Sequence, residues 1–163
     1  DGPGPNLVIE VTGVANGEIV IDLNPDIAPK HVAQIVTLAK AGAYNNVVFH
    51  RVIDGFMAQT GDVQNGKASG DTSMAGMGGS DLPNIPAEFS AVPFERGIVG
   101  MARSSDPDSA NSQFFIMFAP GDFLNGQYTV VGKVIKGMDV VDAIQRGEPP
   151  AKPDVMTKVT VQE

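Results

Sequence analysis

Thirty-one of the 163 residues are Val or Ile and only five are Leu, and this imbalance constrains the fold more than any other feature of the chain. Side chains branched at Cβ are stiff at χ1, crowd the turns of a helix and pack well on a pleated sheet. Nineteen Gly and twelve Pro supply the reversals that many short strands require. The composition points to a β-barrel or sandwich. A single domain of this length buries about 70% of its unfolded surface, enough for a core without covalent staples. The chain has no Cys, which excludes disulfides and thiolate-bound zinc.

Along the chain, residues 7–12 and 18–23 alternate as strands around Asn16-Gly17, the signal of a tight hairpin turn. Val32, Ile35, Val36 and Ala39 fall on one helical face between Pro29 and Gly42, which predicts a helix over 29–41. Strands are expected over 47–53 and 56–60, joined at Asp54-Gly55, and over 98–102, 114–118 and 130–135. A second helix is expected over 138–145 with Val140, Val141 and Ile144 inward. A last strand is expected over 155–161, alternating Val155, Thr157, Val159 and Val161. Residues 61–97 hold no sustained period, and a stretch that long without regular structure is usually functional or mobile. Closing the sheet into a barrel would leave no exposed edge, with the helices plugging the ends. Residues 1–6 (DGPGPN) read as a flexible tail and 7–163 as one undivided domain. The first residue is Asp1 rather than Met, which leans towards a removed targeting segment and a periplasmic protein, with a cytoplasmic one as the alternative.

Several chemistries fall away. A net charge of −8 leaves no basic stripe for nucleic-acid phosphates. No apolar run approaches the ~20 residues of a membrane span. Asp106, Asp108 and Asn111 resemble part of a calcium loop, but the central Gly is missing and Met117 stands where the closing Glu belongs, so a polar turn around Pro107 is expected. His31 falls in the first helix, and no metal or other cofactor is expected. There is no G-x-S-x-G elbow, and His50 reads as a hydrogen-bonded core histidine. Gly76 to Ser80 lacks the Lys-Ser or Lys-Thr of a phosphate loop and reads as a structural turn. What remains is Arg51, a lone cation in the apolar run VVFHRVIDGFMAQTGD (47–62). Spacing alone divides evenly between an outward surface charge and a site. A hairpin would set Arg51 beside Phe56, Met57 and Gln59, giving an apolar floor with one cation and one amide.

The run FHRVIDGFMAQTGD (49–62) resembles the central signature of the cyclophilin family of peptidyl-prolyl cis-trans isomerases. MARSSDPDSANSQFFIMF (101–118), FLNGQYTVVGKVIKGMDVVD (123–142) and the helix start APKHVAQI (28–35) are similar to further stretches of that family, in the same order. The resemblance implies a mainly β fold, a closed eight-stranded antiparallel barrel capped by two α-helices. It implies that Phe56, Met57, Phe115 and Leu124 build the pocket for the substrate proline. Gln59 would orient Arg51, and Ala102 and Gln113 would line the groove for the peptide backbone. Phe123 stands where many members carry Trp and Tyr128 where they carry His. Both belong to the expected substrate site, and loss of the indole N–H predicts weak binding of cyclosporin, the family's cyclic-peptide inhibitor. Arg103 stands where other members have Asn and suggests no role. The loop over 63–84 looks closer to bacterial members.

The implied reaction suits the residue inventory, since rotation about an X–Pro bond makes and breaks no covalent bond. It needs no nucleophile, metal or general base, only a held ring and a donor near the prolyl nitrogen. Arg51 would be that donor. The rate is expected to be flat between about pH 6 and 8, because no histidine is expected in the pocket. Partners would be proline-containing polypeptides and the chain a monomer. A proline-peptide binding module or chaperone without turnover is the alternative.

Overall fold

The structure, a computed structural model, describes residues 4–163. Nine strands and two α-helices follow in chain order among the described residues: β1 (Asn6–Thr12), β2 (Gly17–Leu23), α1 (Pro29–Lys40), β3 (Val47–Val48), β4 (Arg51–Ile53), β5 (Met57–Thr60), β6 (Ile98–Met101), β7 (Phe114–Met117), β8 (Val130–Lys136), α2 (Met138–Ala143) and β9 (Val155–Gln162). A single 3₁₀ turn, Asp122–Leu124, precedes β8. No helix among the described residues is long and apolar enough to cross a membrane.

The strands form one strongly curled antiparallel sheet in the order β3-β9-β1-β2-β8-β6-β7-β5-β4. This corrects the expected closed eight-stranded barrel. Residues 47–53 are not one strand, because Val47, Val48, Phe49 and His50 are all buried and the alternation of a half-exposed strand cannot bury four in succession. The chain instead changes neighbours at Phe49, whose N–H bonds to Asp154 O. β3 therefore pairs with β9 and β4 with β5. The two end strands of the sheet are successive in the chain but share no ladder.

Local corrections have similar causes. The β1–β2 connection is a loop rather than a two-residue turn, since Val11 pairs with Gly17, and the Asn16 side chain donates to Gly13 O across it. In β9 the inward residues are Met156 and Val159 rather than a strict alternation. A bulge at Thr157 lets Glu10 face Lys158 and Val11 face Met156 and so shifts the phase. The expected tail over 1–6 falls partly within the fold: residues 1–3 lie outside the described residues, Gly4 N–H donates to Asp22, and Asn6 already belongs to β1.

Helix α1 buries Val32, Ile35, Leu38 and Ala39 against the sheet, and Pro29 occupies its first turn. Its N-cap, Ala28, has no side-chain oxygen to offer. The two free N–H groups of Lys30 and His31 are met instead by the carboxylate of Glu88, from the long irregular segment, at 3.0–3.2 Å. The same carboxylate lies 2.5 Å from Nδ1 of the fully buried His31. In α2, Val141 is buried, and Ile144, just past the helix, is buried with it.

Two apolar clusters result. The larger joins buried side chains of the sheet to those of α1 and to Val141 and Ile144. The smaller gathers Met57, Phe94, Phe115, Met117, Leu124 and Val130, with Phe56, Ala102 and Tyr128 half-buried at its edge. That second cluster is the floor of the site.

Candidate functional site

The β4–β5 hairpin places the central cation. Gly55, at φ 73°, closes the turn in which Phe56 N–H donates to Ile53 O, and the register then sets Arg51 directly opposite Gln59. Gln59 in turn faces Phe115 on β7, which faces Gly100 on β6. A Cβ at position 100 would lie 2.6 Å from the Phe94 ring and 2.7 Å from the Phe115 ring. A residue without a side chain is what lets these rings stack there, 5.8 Å apart. Phe115 also meets Tyr128 edge-on at 5.9 Å. The 3₁₀ turn points Leu124 inward and leaves Phe123 71% exposed, its ring 5.5 Å from that of Phe56.

The outcome is a recess of about 720 Å³ lined by Arg51, Phe56, Met57, Gln59, Ala102, Phe115, Phe123, Leu124 and Tyr128. Nine of the ten residues expected from sequence thus line one surface. The tenth, Gln113, lies in an adjoining polar recess of about 400 Å³ that shares Gln59 and Ala102 with the first. Ala102 N–H donates to Gln113 O and ties the two together.

A hydrogen-bonded chain runs through the polar side. Arg51 Nη1 donates to Gln59 Oε1 at 3.4 Å, Gln59 Nε2 to Gln113 Oε1 at 2.9 Å, and Gln113 Nε2 to the carbonyls of Gly76 and Gly78 at 3.0 and 2.9 Å. Beneath it sits Asp62, fully buried. Its carboxylate accepts the N–H groups of Gln64, Asn65, Gly76 and Gly78. Four backbone donors satisfy the buried carboxylate oxygens. The Gly76–Ser80 turn is therefore structural, as read from sequence, and Asp62 is what folds it.

Several residues with no role in the sequence reading also belong here. Arg103 lays its guanidinium 4.2 Å over the Tyr128 ring and donates to Ser104 O and Gln127 O, so it buttresses an aromatic wall. Glu148 and Pro149 form part of the lining, with Glu148 Oε1 3.3 Å from Arg51 Nε. His50 lines the recess too, which corrects the expectation of a pocket without histidine. It is buried, but neither ring nitrogen makes a hydrogen bond of normal geometry, so it is a core residue without the expected partner. Burial lowers its pKa below the ordinary histidine value, and the Arg51 cation lowers it further against the opposing pull of Asp62. The Glu148 contact had no local signal, since it reaches Arg51 across 97 positions of sequence.

Elsewhere, the Asp106–Asn111 segment forms the expected polar turn. Asp108 N–H bonds to Asp106, and Asn111 joins Ser80 to Leu82 and Asn84.

Comparison with known proteins agrees with this geometry. The family described as cyclophilin type peptidyl-prolyl cis-trans isomerase/CLD matches residues 7–162. A protein of Brucella suis named as a probable peptidyl-prolyl cis-trans isomerase is 58% identical over 154 residues, covering 90% of this chain and 79% of that one. Among solved structures, a cyclophilin from Hirschia baltica superposes with a TM-score of 0.82 at 29% identity, covering 98% of this chain and 74% of that one. A cyclophilin type peptidyl-prolyl cis-trans isomerase of Cryptosporidium parvum, determined in the presence of the dipeptide Ala-Pro, does so at 0.82 and 25% identity, covering 97% and 99%. With its residues 7–162 matched end to end and its cation, amides and aromatic floor gathered on one surface, this chain belongs to the cyclophilin-type peptidyl-prolyl cis-trans isomerase family.

Proposed function

We propose that the recess binds proline-containing polypeptides and accelerates rotation about the X–Pro bond, with Arg51 as the donor that stabilises the twisted amide. The observation that carries this reading is the placement of one permanent cation at the rim of an apolar, aromatic-floored recess, directly across a strand ladder from Gln59. The Ala-Pro dipeptide used with the Cryptosporidium parvum relative is a minimal ligand of the same kind.

The physics of the bond sets the requirements. Amide resonance gives a rotation barrier of ~18–20 kcal/mol. Midway through the turn that resonance is gone and the prolyl nitrogen carries a free lone pair. Phe56, Met57, Phe115 and Leu124 hold the ring, with Tyr128 and Phe123 at its edges. Ala102 and Gln113 accept the backbone, which leaves the carbonyl side free to rotate. A donor aimed at the lone pair acts only in the transition state and so raises kcat rather than affinity. The guanidinium of Arg51 offers planar donors in a fixed fork. A thousandfold acceleration asks for only about 4 kcal/mol, within reach of one or two such donors.

Cyclosporin, which would use the same recess, is expected to bind weakly, because Phe123 presents no donor at the rim. The test of function is exchange spectroscopy on an X–Pro peptide at substoichiometric protein. Isomer exchange on the sub-second scale supports turnover; a bound peptide that keeps the uncatalysed exchange time of tens of seconds identifies a binding module instead.

A further inference from the structure

We propose that Glu148 is a positioning residue for Arg51, one jaw of a two-sided clamp that aims the guanidinium into the recess; this rests on the reading of Arg51 as the catalytic donor.

Arg51 is half-exposed, and an unheld arginine samples many rotamers. Two acceptors from different parts of the chain meet it, at 3.4 and 3.3 Å. Gln59, across the hairpin, takes Nη1, and Glu148, from the segment after α2, takes Nε. The remaining nitrogen, Nη2, meets no acceptor among the described residues. The clamp therefore fixes the plane of the fork and leaves one end of it to face a ligand.

Glu148 is itself held by a built loop, which distinguishes this pair from an ordinary surface ion pair of negligible worth. Gly147 and Val52 exchange both backbone hydrogen bonds at 2.8 Å, pinning the residue before Glu148 to the strand that carries Arg51. Gly147 sits at φ 145°, and a Cβ there would lie 2.5 Å from Pro150 Cα, so the turn is open only to glycine. Pro149 and Pro150 fix φ on the other side. The base is stapled by Gln145, whose N–H donates to Asp154 and whose Oε1 accepts Lys152 N–H at 2.6 Å. The backbone that carries Glu148 is thus fixed beside the strand that carries Arg51.

The test is a double-mutant cycle on the full chain, with kcat and KM for an X–Pro peptide measured separately. Glu148→Ala is expected to lower kcat about three- to fivefold, the factor that up to ~1 kcal/mol of exposed pairing corresponds to, with KM unchanged. Glu148→Gln, whose amide oxygen still accepts Nε–H, is expected to restore kcat to within about twofold of wild type. In an Arg51→Ala background, Glu148→Ala is expected to cause no further loss, because a positioning residue has nothing left to position. An unchanged or raised kcat in Glu148→Ala, a Gln variant as slow as the Ala variant, or an equal loss in both backgrounds overturns the proposal. If Arg51→Ala alone keeps the wild-type rate, the reading of Arg51 as the donor fails and this one fails with it.

Discussion

His50 and Arg51 are neighbours in the chain and both line the recess. Burial lowers the His50 pKa below the ordinary histidine value of about 6.5 and so favours the neutral ring. The rate is therefore expected to be flat from about pH 6.5 to 8, now because the histidine is held neutral rather than because none is present. A pH profile of kcat/KM checks this, and a step centred near 6.5 contradicts it. Stability carries the same sign: below about 6.5 the unfolded chain binds a proton that native His50 resists, so stability falls on the acid side and is recovered above it. Phe123 is the other informative single residue. It supplies area without a donor, so Phe123→Trp is expected to strengthen cyclosporin binding by about three- to tenfold through one added hydrogen bond, measured by titration calorimetry.

At the scale of elements, the long segment between β5 and β6 lacks regular structure but not anchorage. Glu88 caps α1 and meets His31, and burial would raise its pKa were it not for the His31 side-chain hydrogen bond and the His31 and Lys30 N–H groups, which together pull it down. Its stabilising effect is present above the ordinary glutamate range and lost as pH falls through the lowered value. Glu88→Ala is expected to destabilise the fold by about 2 kcal/mol, since two helix N–H groups and a buried imidazole lose their acceptor; chemical denaturation measures it. The capped helix was legible in the sequence, with Pro29 and the period of Val32, Ile35 and Ala39, but its capping residue was not, being 57 residues away from His31. The same limit applies to the site. Arg51, Phe56, Met57 and Gln59 lie within one hairpin and could be placed by alternation. Asp62 meets Gly76 and Gly78 fourteen and sixteen residues on, and Glu148 meets Arg51 across 97 positions, contacts that no local pattern encodes. The strand over 47–53 was misread because four successive buried residues look like one apolar run until the neighbours on each side are known.

At the scale of the molecule, the curled sheet carries the main core, packed with the helices, and a separate smaller aromatic cluster on β5, β6, β7 and β8. That second cluster makes the recess rigid: its rings are packed against one another across Gly100, and its polar flank is locked by the chain from Gln59 through Gln113 to the loop folded on Asp62. In the proposed mechanism, all this scaffolding serves to present one donor to one nitrogen. The most direct test measures kcat/KM for an X–Pro peptide, and the Kd of the same peptide, in wild type and Arg51→Ala. A fall in kcat/KM of about 10²–10³ is expected, the usual cost of deleting a preorganised transition-state donor, with Kd and thermal stability nearly unchanged. An Arg51→Ala protein that folds, binds and turns over within about twofold of wild type, a difference too small for a lost transition-state donor, would contradict it.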